Sequence, residues 1–396
     1  MLARAGFRDV KGQRRGARAS VARRRADVGG ESGTRALDSA AARRMMGPPR
    51  GRAAARRGAQ CDTRDSSCWG YWRWQWRQWA LPVPHLATTT RVSVSSAATQ
   101  GNSESRQPAI SSDGRFVAFE SVASNLVPND TNSQFDVFVR DVQTGTTTRV
   151  SVDSTGNQGN FESQSSSISS DGRFVAFGSG ATNLVAGDTN NAPDSFVHDR
   201  DTDGDGTLDE PGAVATTRVS VDSAGNQANG FSSSPAITGG GRYVAFASGA
   251  TNLVTDDTNG IQDIFVHDRI TGTTELVSVD STGNQANAYS NLSGISADGR
   301  FVGFQSSASN LVPGDTNACT GYTTCVDVFV RDRDTDGDGI FGEAGAVSTS
   351  RVSVDSTGNQ ANGHSFSYDG MSANGRFVSF YSIASNLIPG DNRRLL

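Results

Sequence analysis

The residues best placed to do chemistry lie in two nearly identical acidic runs, DRDTDGDGTLDEPG at 199–212 and DRDTDGDGIFGEAG at 332–345. Both fit the pattern D-x-D-x-D-G-x5-E, with Asp199, Asp201, Asp203, Gly204 and Glu210 in the first and Asp332, Asp334, Asp336, Gly337 and Glu343 in the second. Alternate carboxylates in a tightly coiled loop point to one centre, Gly permits the bend, and a distal carboxylate closes a shell of hard oxygens. So many acids in one short loop repel each other unless a cation neutralises them. A second register uses Asp201, Asp203, Asp205 and Asp209, with Asp338 the counterpart of Asp205. It has no carboxylate at its twelfth position, so the first register is preferred. The expected ligand is structural Ca²⁺ rather than Mg²⁺, which prefers fewer protein ligands and more water. The competing reading is a solvated acidic turn.

Other polar groups carry less. The DTN loops (Asp130–Asn132, Asp188–Asn190, Asp257–Asn259, Asp315–Asn317) and DSTGNQ loops such as Asp153–Gln158 are explained by side-chain-to-backbone turns without a metal. His198 and His267 stand where sister repeats have Arg140 and Arg331, which suits a surface strand end. His85 and His364 stand apart from any acid–base set. Cys319 and Cys325, six residues apart in a polar insertion, suit a local disulfide better than two free thiols or a zinc site. Such a disulfide points to an oxidising compartment. No Ser/His/Asp order, nucleophile elbow or phosphate-cradling loop is present, so an enzyme is the weaker class.

The elements that must hold these groups come from a repeat. Asp113–Phe119 (DGRFVAF) returns as Asp171–Phe177, Gly240–Phe246, Asp298–Phe304 and Asn374–Phe380, at spacings of 58, 69, 58 and 76. Each unit reads as four short strands: RVSV (as at Arg91–Val94), a segment ending in PAIS (Pro108–Ser111), the DGRFVAF strand, and a DVFVRD strand (Asp136–Asp141). Asp-Gly supplies the positive φ of a two-residue hairpin joining the middle two. Phe116-Val117-Ala118-Phe119 and Val137-Phe138-Val139 are apolar on both faces, so each sheet needs cover on both sides. Copies of one small antiparallel sheet covering each other describe a β-propeller. A parallel β-solenoid is the rival, and the tight turn at Gln143–Thr146 argues against it.

PAISSDGRFVAF (Pro108–Phe119) resembles the WD40-like (PD40) repeat of TolB-type propellers, with Ile110 where Trp is usual and Ser112 where the second Pro is usual. The resemblance covers residues 90–392 and is specific for fold rather than role. The acidic runs are similar to calcium hairpin loops of integrin-type propellers, which implies a structural ion at the rim. The expected fold is all-β, a propeller of about five four-stranded antiparallel blades. The fifth copy stops at Asn386–Asp391 without a DVFVRD strand, as in a truncated six-bladed ring, and the RVSV strand at Arg91 is expected to join the last blade. The DGR arginines are read as solvated turn residues.

Charge separates two objects. Residues 1–60 hold 16 Lys/Arg against 4 Asp/Glu and residues 61–90 hold 3 against 2, so the net −5 leaves −18 for residues 91–396. The expected division is 1–86, a disordered Arg- and Trp-rich segment, and 87–396, the propeller. The basic run reads either as a phosphate-binding tail or as a start foreign to the native protein. WGYWRWQWRQW at 69–79 has a membrane-interface character but is too short and polar to span, and no clean signal peptide is visible. The functional expectation is a non-catalytic, calcium-stabilised propeller in the periplasm, at the cell surface or secreted, binding a protein or glycan. No nucleic-acid ligand is expected for the propeller. The alternative is a carbohydrate hydrolase or lyase on the same fold.

Overall fold

The computed structural model describes residues 2–4, 89–317, 319, 325–368 and 370–391. After a short strand β1 (Leu2–Arg4), four antiparallel four-stranded sheets follow along the chain, each made of consecutive strands. They are β2 (Ser105–Ile110), β3 (Phe116–Ser121), β4 (Asp136–Asp141) and β5 (Thr146–Arg149); β6 (Ser163–Ile168), β7 (Phe174–Ser179), β8 (Asp194–Asp199) and β9 (Ala215–Arg218); β10 (Ser232–Ile237), β11 (Tyr243–Ser248), β12 (Asp263–Asp268) and β13 (Thr274–Leu276); and β14 (Ser290–Ile295), β15 (Phe301–Ser306), β16 (Asp327–Asp332) and β17 (Ser348–Arg351). A fifth, smaller sheet region holds β18 (Ser365–Phe366), β19 (Phe377–Ser379) and β20 (Tyr381–Ser382). This is the blade architecture of an all-β propeller of about five blades.

The apolar runs set the packing. β3, β11 and the body of β4, β8, β12 and β16 are buried throughout. Within each blade the Phe of the second strand stacks on that of the third, as in Phe119–Phe138 and Phe177–Phe196 at 5.8 and 5.9 Å. The other face meets the next blade: Phe116, Ala118, Val137 and Val139 pack with Val175 and Phe177. Each fully buried Phe contributes roughly 1.5–3 kcal/mol.

The Asp-Gly turns stitch the blades together. The connection from β2 to β3 has five residues rather than the expected two: Ser111 N–H donates to Phe116 O at 2.9 Å, while Ser111 Oγ accepts from Phe116 N–H at 2.9 Å. Adjacent turns bond to each other through Ser112 N–H to Ser170 O, Ser170 N–H to Gly239 O, Gly239 N–H to Ala297 O and Ala297 N–H to Ala373 O, at 2.7–3.1 Å. Gly172 has φ +77 and lies against the Phe116 ring of the preceding blade. The DGR arginines are not simply solvated. Arg115, Arg173, Arg242 and Arg300 each grip the aspartate that ends the third strand of their own blade.

RVSV is not a complete strand. β5, β9 and β17 end at its Arg, because a serine hydroxyl then replaces the ladder: Ser151 Oγ accepts from Val137 N–H at 3.1 Å and donates to Asp136 Oδ1 at 2.6 Å. The chain leaves the sheet and turns back, with only a bridge between Val152 and Gln158. Arg91–Val94 does not join the last blade either. Val94 O accepts from Thr147 Oγ1 at 2.6 Å and Ser96 Oγ from Thr147 N–H at 3.0 Å, so this segment covers the outer strand of the first blade. Val152 and Ser154 do the same for Thr216 of the second blade. In the fifth sheet region β1 pairs antiparallel with β19, Arg4 opposite Phe377. That is the place Asp141 takes opposite Phe116, so Leu2–Arg4 stands where other blades have their third strand.

Candidate metal centres

The acidic runs form the connections from β8 to β9 and from β16 to β17. Their first aspartates finish the third strands and are already engaged: Arg173 donates to Asp199 at 2.7 and 2.9 Å, and Arg300 to Asp332 at 2.8 and 2.9 Å. The carboxylates that converge are Asp201, Asp203 and Asp205, and again Asp334, Asp336 and Asp338, each set with oxygens within 4.8 Å of one another. The inner member of each set is buried and the other two are exposed. Asp201 accepts from Gly204 N–H at 2.8 Å and Gly206 N–H at 3.1 Å; Asp334 accepts from Gly337 N–H at 2.8 Å and Gly339 N–H at 3.2 Å. Asp209 is held by Arg200 at 2.7 and 2.5 Å. Glu210 and Glu343 lie outside the convergent sets, and their backbone carbonyls accept from Ala213 and Ala346 N–H at 3.0 Å. The three-carboxylate sets thus match the first three positions of the second register but not its Asp209, which Arg200 holds. Their all-oxygen donors suit a hard cation.

A second arginine seats each hairpin on the blade before it. Arg200 donates to Gly172 O at 2.7 Å and lies over the Phe116 ring; Arg333 donates to Gly299 O at 2.7 Å and lies over Tyr243 and Phe341. Arg200 finds its carboxylate within the hairpin. Arg333 takes Glu275 of β13 instead, at 2.8 Å, because Gly342 stands where the first hairpin has Asp209. A cavity of about 340 Å³ opens beside this second seam, lined by Arg242, Tyr243, Asp268, Glu275, Arg333 and Phe341 among others.

The remaining expectations sort by contact. The DSTGNQ loops are side-chain-braced turns: Asp153 Oδ1 accepts from Thr155 N–H at 2.8 Å and Asn157 N–H at 2.9 Å. The DTN aspartates do more than turn the chain. Asp130 joins Asp136, Gln158 and Arg149 in a buried cluster, as Asp188 joins Asp194 and Arg218. Sequence reasoning missed this, although the Arg of RVSV recurs with the DTN loop. His198 and His267 are buried, not at a surface. His198 Nδ1 lies 2.9 Å from Thr216 Oγ1, whose own proton goes to Val152 O, so Nδ1 carries the hydrogen. Cys319 and Cys325 are disulfide-bonded. His85 and residues 5–88 lie outside the described residues.

Burial and charge tune these groups. Desolvation lowers His198 to about 4, so its ring is neutral at pH 7. Burial opposes the charge on Asp141, yet Arg115 and the N–H groups of Thr144 and Gln143 outweigh it and bring the carboxyl to about 2. Asp268 reaches about 2 through the same contest, with Arg242 and Ile270 N–H outweighing burial. Burial instead pushes Asp136 and Asp194 up, against the serine hydroxyls bonded to them.

No family model and no curated protein matches the chain. Solved structures similar to it are propeller proteins. TolB from Acinetobacter baumannii is 16% identical with a TM-score of 0.35, over 71% of this chain and 54% of that one. A putative TolB from Agrobacterium tumefaciens is 16% identical with a TM-score of 0.33, over 61% and 62%. The β-propeller domain of the trilobed protease from Pyrococcus furiosus is 11% identical with a TM-score of 0.32, over 58% and 54%. The match spans less than two thirds of each of these chains. Among the described residues no helix is long and apolar enough to cross a membrane. The successive four-stranded antiparallel sheets fit a TolB-like propeller.

Proposed function

We propose that this protein is a non-catalytic binding scaffold outside the cytoplasm, with Ca²⁺ bracing the hairpins of its second and fourth blades. The observation that carries the reading is the same three-carboxylate convergence in two independent insertions, Asp201/Asp203/Asp205 and Asp334/Asp336/Asp338. Bound there, the ion would offset carboxylate repulsion and order the hairpin; Asp201 and Asp334 would be its buried ligands. The Cys319–Cys325 disulfide supports an oxidising compartment. Exposed rings one or two residues before three successive first strands, Phe161 (51% exposed), Phe231 (42%) and Tyr289 (61%), support a protein or glycan ligand at the rim opposite the hairpins.

Calorimetric melting of the metal-stripped chain with and without millimolar Ca²⁺ tests the metal. The expected result is a higher Tm with Ca²⁺, an increment that combining Asp203→Asn with Asp336→Asn reduces. A melting curve that Ca²⁺ leaves in place removes the metal from the proposal.

A further inference from the structure

The third blade lacks a cation that its sisters have. In three blades an arginine at the end of the fourth strand bridges two buried aspartates. Arg149 stands 3.6 Å from both Asp130 and Asp136; Arg218 is 3.3 Å from Asp188 and 3.2 Å from Asp194; Arg351 is 3.0 Å from Asp315 and 3.2 Å from Asp327. The third blade keeps both acids, Asp257 (6% exposed) and Asp263 (0%), but has Leu276 in place of the arginine. Among the described residues no Arg, Lys or His forms an ion pair with either acid.

The neutral donors around the pair are already committed. Asp263 Oδ1 accepts from Ser278 Oγ at 2.6 Å, and Oδ2 from Asn259 Nδ2 at 2.8 Å and Gln285 Nε2 at 2.9 Å. Gln285 Nε2 also donates to Asp257 Oδ1 at 2.8 Å, its orientation set by Thr258 N–H on Oε1 at 3.2 Å. Asp257 Oδ2 is buried with no hydrogen-bond partner. Removing one partner of a buried ion pair ordinarily leaves an uncompensated charge at high cost. Here the chain has dropped the guanidinium and kept both carboxylates.

We propose that the third blade binds a hard metal cation between Asp257 and Asp263, in the place that guanidinium groups hold in its sisters. Two carboxylates supply a charge of −2 and only oxygen donors, which suits a divalent ion of the Ca²⁺ type. Leu276 is shorter than Arg and carries no donor, so it neutralises nothing. This site shares no residue with the acidic hairpins.

The test counts Ca²⁺ bound at equilibrium to the full chain after chelator stripping. It uses Leu276→Arg both alone and in a background with Asp203→Asn and Asp336→Asn. In both backgrounds Leu276→Arg is expected to remove a single Ca²⁺ per chain and to raise the Tm in chelator, because it installs the sister-blade bridge. Asp257→Asn, which keeps the shape, is expected to remove the same ion, and serves if Leu276→Arg does not fold. A Ca²⁺ count unchanged by these substitutions overturns the proposal; so does a parent with no bound ion that gains stability on mild acidification, which would identify a shared proton. Failure of the hairpin reading appears separately, as a count that the hairpin substitutions do not lower.

Discussion

Phe116 of the first blade lies over Gly172 of the second so closely that a Cβ on Gly172 would stand 2.2 Å from Cδ2 of the ring. The same relation links Phe174 to Gly241, Tyr243 to Gly299 and Phe301 to Gly375. The glycine of each Asp-Gly turn therefore serves two ends, a left-handed backbone and room for the aromatic ring of the blade before. Gly172→Ala is expected to destabilise by roughly 2–4 kcal/mol, combining backbone strain with overpacking. Gly156 has φ +87 and open space around it, so Gly156→Ala isolates the backbone part, about 1 kcal/mol. Urea unfolding of both variants measures the difference, and equal costs would refute the close-approach argument.

The two registers of the acidic hairpins make different demands on Asp199. Gripped by Arg173, it acts as a clamp between the second and third strands, so Asp199→Ala should lower stability by about 1–3 kcal/mol with or without Ca²⁺. Asp205→Asn, which alters only the second register, should change little in chelator and abolish the Ca²⁺ increment from its hairpin. Melting both variants with and without Ca²⁺ separates clamp from ligand. A Ca²⁺ increment lost in Asp199→Ala but kept in Asp205→Asn would restore the first register.

Much of this was legible in the sequence, for a physical reason. Runs such as Phe116–Phe119 that are apolar on both faces demand cover on both sides, and a repeated Asp-Gly demands a repeated turn. The register of the acids was not legible, because the motif fits twice. Arg173 takes Asp199 out of the first register and Arg200 takes Asp209 out of the second, from positions that no ligand pattern includes. The arginines of the DGR turns looked solvated because their partners lie 26 or more residues away, as with Arg115 and Asp141. The end of RVSV escaped notice because a buried hydroxyl, Ser151, takes over from the backbone ladder. Even so, the third blade's missing guanidinium was written in the sequence as Leu276 where the other RVSV segments have arginine.

Acid should loosen the second blade through His198. Its folded value of about 4 lies below the ordinary 6.5, so the unfolded chain binds more protons between those values. Stability contributed by the neutral ring is full above pH 6.5, falls as pH drops toward 4, and is then spent. The loss amounts to about 3 kcal/mol. Burial lowers His267 in the same direction and adds to the slope. Asp141 and Asp268 act later: their stabilisation is present above the ordinary carboxylate value and is lost as pH falls through about 2. His198→Gln should flatten the curve between pH 7 and 4 while leaving the strongly acid limb. Chemical unfolding at a series of pH values reads this directly, and a parent curve already flat over that range would contradict the buried neutral ring.

Arg333 and Glu275 offer a final test, because the first hairpin shows an alternative partner in Asp209. A Cβ on Gly342 would come 2.8 Å from Glu275 Oε2, the free end of a flexible side chain that can swing aside. Asp209 itself has φ 65, so an aspartate is compatible with a left-handed backbone at this place in the hairpin. Gly342→Asp is therefore expected to fold and to transfer Arg333 from the neighbouring blade to its own hairpin. Glu275→Ala should be costly alone, since it strands a buried guanidinium, and nearly silent when Gly342→Asp is present. The double-mutant cycle should return a coupling of roughly 1–3 kcal/mol. Additive effects would mean that Arg333 does not change partner, and that the hairpin is seated by its contacts with Gly299 and Tyr243 alone.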